Sequence, residues 1–347
     1  MPSVASERLE NVRMIRESAA AVADESDLGR VRRQRFTAAG FDRAVWTTMG
    51  EMGWLGLRLP ESLGGSDLGM TEYCTLARAL GRALTPEPLI EGVLAARLID
   101  GDLLAEFLGA QTIIMPAWPG ETTPTLDGGR LNGEARFAPM AGGADGFVVP
   151  LPGGAAFVGR TAGGLTVKVE KTQDGGNLGE LHFENTPATF FPGDLQRPYE
   201  EAALATAAYL LGVMERAFEI TLEYMRTRQQ FGKPIGSFQS LQHKAADLRL
   251  QIALSDASVN AASEAWDDMA PAADVSGAVA RAKVRATEAA MRVTREVIQL
   301  HGAIGYTDEA DISLFVRKAM TLANRYGSPA EHRARRIAEV LATGDRS

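Results

Sequence analysis

Apolar residues recur at helical spacing through the last third of the chain. From Leu204 they fall at 204, 207/208, 211, 214, 218, 222 and 225. A second run goes Leu241, Ala245, Leu248, Ile252, Val259, Trp266, and a third Val279, Ala286, Ala290, Val293, Val297, Leu300. Each predicts a long amphipathic helix, and several in series predict a bundle. Pro234 and Gly236 break the first run from the second. Pro271 and Asp274 break the second from the third, with Asp274 or Ser276 as the expected N-cap. Residues 114–196 have another rhythm. Short runs (TIIMPAW, RLNGEARF, GFVVPL, AAFVGR, LTVKVEK, ELHFEN) are cut by Gly pairs at 128–129, 142–143, 153–154, 163–164 and 175–176. β-branched and aromatic runs punctuated this way predict strands. Leu165–Val169 alternates apolar with polar, as a half-buried strand does. Residues 1–113 read as mostly helical, interrupted by the turn-rich LPESLGGSDLG at 59–69. The expected fold is α+β: an N-terminal helical domain (1–113), a small middle β-barrel or sandwich (114–196) and a C-terminal four-helix bundle (197–347).

Composition narrows this picture. A length of 347 residues suggests about two domains. Sixteen of the 36 glycines fall within 114–196, and they raise the expectation to three segments. One cysteine, Cys74, rules out a disulfide within the chain. A net charge of −8 argues against general nucleic-acid or anionic-membrane binding. No apolar run reaches the ~18 residues of a membrane span. MPSVASERLENVRMIRES is charged throughout and lacks the apolar core of a secretory signal, so a cytoplasmic protein is expected. There is no internal repeat and no low-complexity tract.

Common catalytic signatures are missing. The sequence has no GxGxxG after a strand, no GxxxxGK[ST], no HExxH and no GxSxG. His182, His243, His301 and His332 show no metal spacing with one another or with Cys74, so no metal site is expected. Three local features stand out. Arg226-Thr-Arg228-Gln-Gln-Phe231-Gly-Lys-Pro234-Ile-Gly236 places an arginine fork where a long helix turns. Such a fork suits a phosphate. It equally suits a helix C-terminus, where Arg offsets the dipole. Gln299-Leu-His301-Gly302-Ala303-Ile-Gly305-Tyr306 has small residues that admit a ligand to the backbone, or simply end a helix. His301 on its own reads as a packed or hydrogen-bonded histidine. The third is the loop 57–69, which either carries function or connects helices.

In this order and spacing the segments resemble the acyl-CoA dehydrogenase family. GWLGLRLPESLGGSDLGMTEY and LNGEARFAPMAGGADGFVV resemble its N-terminal and β-domain stretches. RTRQQFGKPIGSFQSLQHKAADL is similar to its R-x-x-FG-x-x-I-x-x-FQ block, and QLHGAIGYTDEADISLFVRKA to its Q-x-x-GG-x-G-[FY] block. The resemblance implies helical, β and four-helix-bundle domains, and FAD as cofactor. It places Arg228 and Phe231 at the pyrophosphate and adenosine of a neighbouring subunit's FAD, with Phe238 and Gln239 continuing that surface. Gln299, Gly302 and Ala303 then cradle FAD from the other side. It further implies an acyl-CoA substrate, electron-transfer flavoprotein as acceptor, and a homo- or hetero-oligomer, dimeric or tetrameric.

Two departures concern catalysis. The family's usual base is the Glu of a Tyr-Glu-Gly-Thr motif, and this chain has Arg325-Tyr326-Gly327-Ser328, with glycine at the Glu position. Some relatives carry the base at the start of the first bundle helix, which here is Ala202. Glu201 is one residue off and is the candidate base, with Glu200 behind it. Both also read as acidic residues of a first helical turn. Glu331 reads as a surface residue. In the β-domain, the Thr-Glu-Pro-x-x-Gly-Ser-Asp loop is reduced to Met115–Glu121, and Trp-Ile-Thr-Asn is replaced by Phe137-Ala138-Pro139-Met140, where proline removes a backbone donor. Pro-Ala-Glu-His after Ser328 resembles a short bacterial branch, some of whose members pair with a second subunit in oxidising steroid side chains or other bulky acyl-CoAs. Three readings follow: an FAD-dependent acyl-CoA dehydrogenase, alone or within a heteromer; a non-catalytic partner completing the FAD site of a catalytic sister; or another flavin reaction on the same fold.

Overall fold

A computed structural model describes residues 4–344. Six helices come first: α1 (Val4–Ala19), α2 (Leu28–Gln34), α3 (Arg43–Glu51), α4 (Met70–Arg82), α5 (Leu89–Ala96) and α6 (Gly101–Leu108). Nine strands follow: β1 (Ile114–Pro116), β2 (Trp118–Pro119), β3 (Thr125–Asp127), β4 (Arg130–Pro139), β5 (Gly146–Leu151), β6 (Gly154–Gly159), β7 (Leu165–Lys171), β8 (Asn177–Pro187) and β9 (Thr189–Pro192). Then come α7 (Gln196–Thr227), the two-residue strands β10 (Gln229–Gln230) and β11 (Lys233–Pro234), α8 (Gln239–Asp267), α9 (Ala272–His301), α10 (Ile312–Leu322) and α11 (Pro329–Gly344). The order of helices, central β region and helices is the one the sequence predicts. The chain forms two compact units, and the division passes through α7 after Ala202.

Among the described residues, the first unit comprises 4–28, 69–85 and 203–344. The predicted apolar runs are its core: Leu204, Leu211 and Met214 of α7, Leu248, Ile252 and Val259 of α8, and Val279, Ala286 and Val293 of α9 are buried. Helices α4 and α7 touch through backbone. A Cβ on Gly81 would collide with the Tyr209 carbonyl, and one on Gly212 with the Arg78 carbonyl. Only glycine permits so close an approach at both places. Asp267, at the end of α8, accepts from the amides of Met70 (2.6 Å) and Thr71 (3.0 Å), so a carboxylate caps the start of α4. The expected N-cap of α9 is corrected. The helix starts at Ala272 with Pro271 in the capping position, and Asp274 lies in the first turn. Proline fixes φ and starts the helix earlier than the polar residues suggest.

The second unit comprises residues 29–68 and 86–202. One sheet has the order β1-β5-β6-β9 and the other β2-β4-β8-β7, with β3 beside β4. Only β1–β5 is parallel among these pairs. Neither described sheet closes into a barrel. All of β5 is buried. Leu181 and Phe183 of β8 point inward while Glu180, His182 and Glu184 point out, as period-two alternation requires. The Phe137–Pro139 segment does not interrupt its strand. β4 runs through it, and the register slips between Ala135 and Ala138. Phe137 takes a left-handed φ of 58° at that bulge and is 60% exposed.

Candidate functional site

Helix α7 ends at Thr227, and the chain reverses through β10 and β11 into α8. Phe231 sits at the tip with φ of 53° and is 91% exposed. Its ring meets Phe238 edge-on at 6.1 Å, and the Lys233 ammonium lies 4.4 Å from the Phe238 ring. Arg228 is exposed, and its guanidinium has no partner among the described residues. Gln239 is also exposed.

The second predicted block lies where α9 ends. Gln299, Gly302 and Ala303 are exposed. Gly302 has φ of 69°, and a Cβ there would meet nothing within 4 Å. Tyr224, in the last turns of α7, stacks on His301 at 4.4 Å and donates its hydroxyl to the His301 carbonyl at 3.3 Å. This contact joins the ends of α7 and α9, and so brings together two blocks about 70 residues apart in sequence. His301 is buried and its Nδ1 donates to the Val297 carbonyl at 2.8 Å. Burial holds its pKa below the usual histidine value. It is a packed, hydrogen-bonded residue.

A free guanidinium, an aromatic pair of the exposed Phe231 and the half-buried Phe238, and an open small-residue turn, all in one unit, suit a dinucleotide cofactor. The fork meets a pyrophosphate, the rings stack or pack on a base, and the small residues let the ligand reach the backbone. These residues fit FAD. Among the described residues no group of His, Cys, Asp and Glu could hold a metal ion. No helix among them is long and apolar enough to cross a membrane.

The candidate bases lie elsewhere. Helix α7 begins at Gln196, so Glu200 and Glu201 fall in its second turn rather than its first. Both are buried, as is Ala202. Glu200 accepts from the Gln196 amide nitrogen at 2.6 Å. Glu201 is ion-paired to Arg58 at 3.0 Å and to Arg97 at 3.6 Å. Arg58 also donates to the Leu68 carbonyl, and Arg97 to the Arg58 carbonyl at 3.2 Å. Glu201 thus ties the 57–68 loop and the end of α5 to the first residues of α7, which belong to the second unit. The sequence reading missed both arginines. The available signal was a charged residue set between two leucines in Leu57-Arg58-Leu59, a stretch whose leucines are buried.

Gly327 sits in the turn between α10 and α11 with φ of 97°. A Cβ there would lie 2.7 Å from His332 Nε2. Both the backbone and the neighbouring ring therefore oppose a side chain. Glu331 is exposed and completes a reciprocal cap. It accepts from the Ser328 amide at 2.7 Å, while its own amide donates to Ser328 Oγ at 3.2 Å. The Ser328 amide holds its carboxyl below the usual range. Pro329 takes the first helical position, as this cap favours.

The family model for the acyl-CoA dehydrogenase C-terminal domain matches residues 196–341, and that for the N-terminal domain matches residues 10–99. The chain is 31% identical over 336 residues to the acyl-CoA dehydrogenase IpdE2 of Mycolicibacterium smegmatis, covering 94% of this chain and 98% of that protein. It superposes on a solved structure described as the Tcur3481-Tcur3483 steroid ACAD G363A variant with a TM-score of 0.86 at 27% identity, covering 99% of this chain and 100% of that one. For the ChsE4-ChsE5 complex from Mycobacterium tuberculosis the TM-score is 0.84 at 25% identity, covering 99% and 98%. The chain belongs to the acyl-CoA dehydrogenase family of oxidoreductases.

Proposed function

We propose that this protein is an FAD-dependent acyl-CoA dehydrogenase that removes hydrogen from the α and β carbons of an acyl-CoA thioester. The observation that carries the reading is the Tyr224–His301 stack, which sets the Arg228 hairpin beside the Gln299–Ala303 turn. Arg228 binds the pyrophosphate, Phe231 and Phe238 with Gln239 face the adenosine region, and Gln299, Gly302 and Ala303 cradle the cofactor. Through these exposed groups one copy serves the FAD of a neighbouring subunit, so the active form is an oligomer. Bound there, FAD supplies the hydride acceptor for the β carbon. The α proton needs a carboxylate in its ionised form. Glu201 is the proposed carrier, with Glu200 second. To act, Glu201 must exchange at least one arginine contact for the substrate. Electron-transfer flavoprotein is the proposed electron acceptor, and the cytoplasm the proposed location.

A second reading is favoured by one observation: position 327 has no carboxylate and no room for a side chain. In that reading the chain is the non-catalytic member of a heteromer and lends its FAD-facing residues to a catalytic sister. The solved relatives that carry two subunit names in one complex give it a precedent. One experiment separates the two. The chain is purified alone, its visible spectrum recorded, and the flavin challenged anaerobically with acyl-CoA. Bleaching of bound flavin supports the enzyme. A colourless chain that turns yellow only with a co-expressed relative supports the partner.

A further inference from the structure

Lys283 of α9 is 0% exposed, and among the described residues no carboxylate pairs with it. Its nitrogen lies 3.1 Å from Thr287 Oγ1, 3.1 Å from the Ala323 carbonyl and 3.2 Å from the Gly327 carbonyl. All three partners are neutral. Among the described residues the charged groups acting on it are Arg325 in the turn and Glu331 in α11, with none from α8 or α10. Glu331 is already committed to capping α11 at Ser328. A buried ammonium in this place has hydrogen bonds but no counter-ion. A neutral amine keeps the same contacts without that buried charge: two N–H groups serve the two carbonyls, and the Thr287 hydroxyl turns to donate to the lone pair.

His332 holds the same turn from the other side. Its Nδ1 accepts from Arg335 at 2.9 Å, and its Nε2 donates to the Tyr326 carbonyl at 2.9 Å. That pairing is complete only for the neutral ring. A proton on Nδ1 would face the Arg335 guanidinium, with Lys283 also nearby. The turn they grip carries two consecutive left-handed residues, Tyr326 (φ 55°) and Gly327 (φ 97°). It needs these contacts to hold that backbone.

We propose that Lys283 and His332 form an acid-sensitive latch on the turn between α10 and α11, closed when both are neutral and opened by proton uptake. The inference does not depend on the flavin reading. Burial supports it, pushing Lys283 down to about 7 and His332 down to about 4. The sign follows from linkage. Opening the turn returns Lys283 to water near its ordinary value of 10.5 and His332 near 6.5, so the open form binds more protons. Closure therefore strengthens as pH rises from about 7 toward 10.5 through Lys283, and from about 4 toward 6.5 through His332.

The test is amide hydrogen exchange of the full chain, read over residues 322–333 and corrected for the intrinsic pH dependence of exchange. Between pH 7 and 8.5, protection in the wild type is expected to rise about tenfold per pH unit. It should rise again between pH 4.5 and 6.5. Lys283→Met should abolish the upper limb and keep the lower one, and His332→Gln should do the reverse. Protection that is flat across both ranges, or an upper limb surviving Lys283→Met, overturns the latch. Should either variant fail to fold, titration of the wild-type Lys283 side chain by NMR decides. A midpoint near neutrality supports the proposal and one above pH 10 defeats it.

Discussion

Replacing Glu201 with alanine tests what that carboxylate does. Its side chain is 4% exposed and sits against Arg58, itself 12% exposed, and Arg97 at 28%. The substitution leaves two arginines facing each other with no negative charge between them. Breaking a buried pair from one side costs about 3–5 kcal/mol. For a chain of this length that is a fall of about 4–7 °C in the melting temperature. Glu201→Gln keeps the shape and one acceptor, and its cost should be about half as large. Differential scanning calorimetry at fixed pH and salt reads both. The double-mutant cycle with Arg58→Met should return a coupling of about 1.5–3 kcal/mol, because the partners touch. A Glu201→Ala melting point within about 1 °C of the wild type would refute the anchoring role. The same variants bear on catalysis. Should Glu201 be the base, Glu201→Gln abolishes flavin reduction by acyl-CoA while the protein stays folded and yellow. Should it only anchor, stability falls and reduction persists.

Three further outcomes are expected. Arg228→Met should weaken FAD binding about 10- to 100-fold, equal to the loss of about 1.5–3 kcal/mol for a charge-assisted contact, with no change in melting temperature, since the fork is exposed and unpaired; equilibrium flavin titration measures it. Gly81→Ala should cost about 3 kcal/mol or more, because its new methyl group enters the Tyr209 carbonyl and forces α4 and α7 apart; thermal melting measures it. Ser328→Ala should destabilise the start of α11 by about 1 kcal/mol and raise the Glu331 carboxyl back toward its ordinary value, visible in an NMR titration.

Much of the fold is legible in the sequence because burial leaves a period. The three bundle runs became α7, α8 and α9, and GFVVPL became β5 residue for residue. What lacked a period was harder to see. α7 begins eight residues before its first predicted apolar position, because Gln196–Ala203 buries two glutamates that look like surface residues. Strands β3 and β9 are too short to announce themselves. The positions proposed to face FAD come from their motif, and all of them except the half-buried Phe238 are exposed. The residues that grip from behind were missed. Lys283 follows Val279 by four positions and precedes Ala286 by three, so it lies on the buried stripe of α9. A charge in that phase marks a buried polar contact. Arg58 and Arg97 are brought to Glu201 by chain folding, across 143 residues in the first case; the leucines flanking Arg58 hint that it is buried, but nothing local names its partner.

We propose that this chain runs acyl-CoA dehydrogenation on FAD. The most direct measurement is anaerobic stopped-flow absorbance of the purified, FAD-loaded protein mixed with acyl-CoA. Loss of the oxidised-flavin bands on mixing is expected, with hydrogen lost from the α and β carbons of the substrate. Flavin that is bound yet stays oxidised with a range of acyl-CoA chain types, and stays so with Glu201 intact, would contradict it.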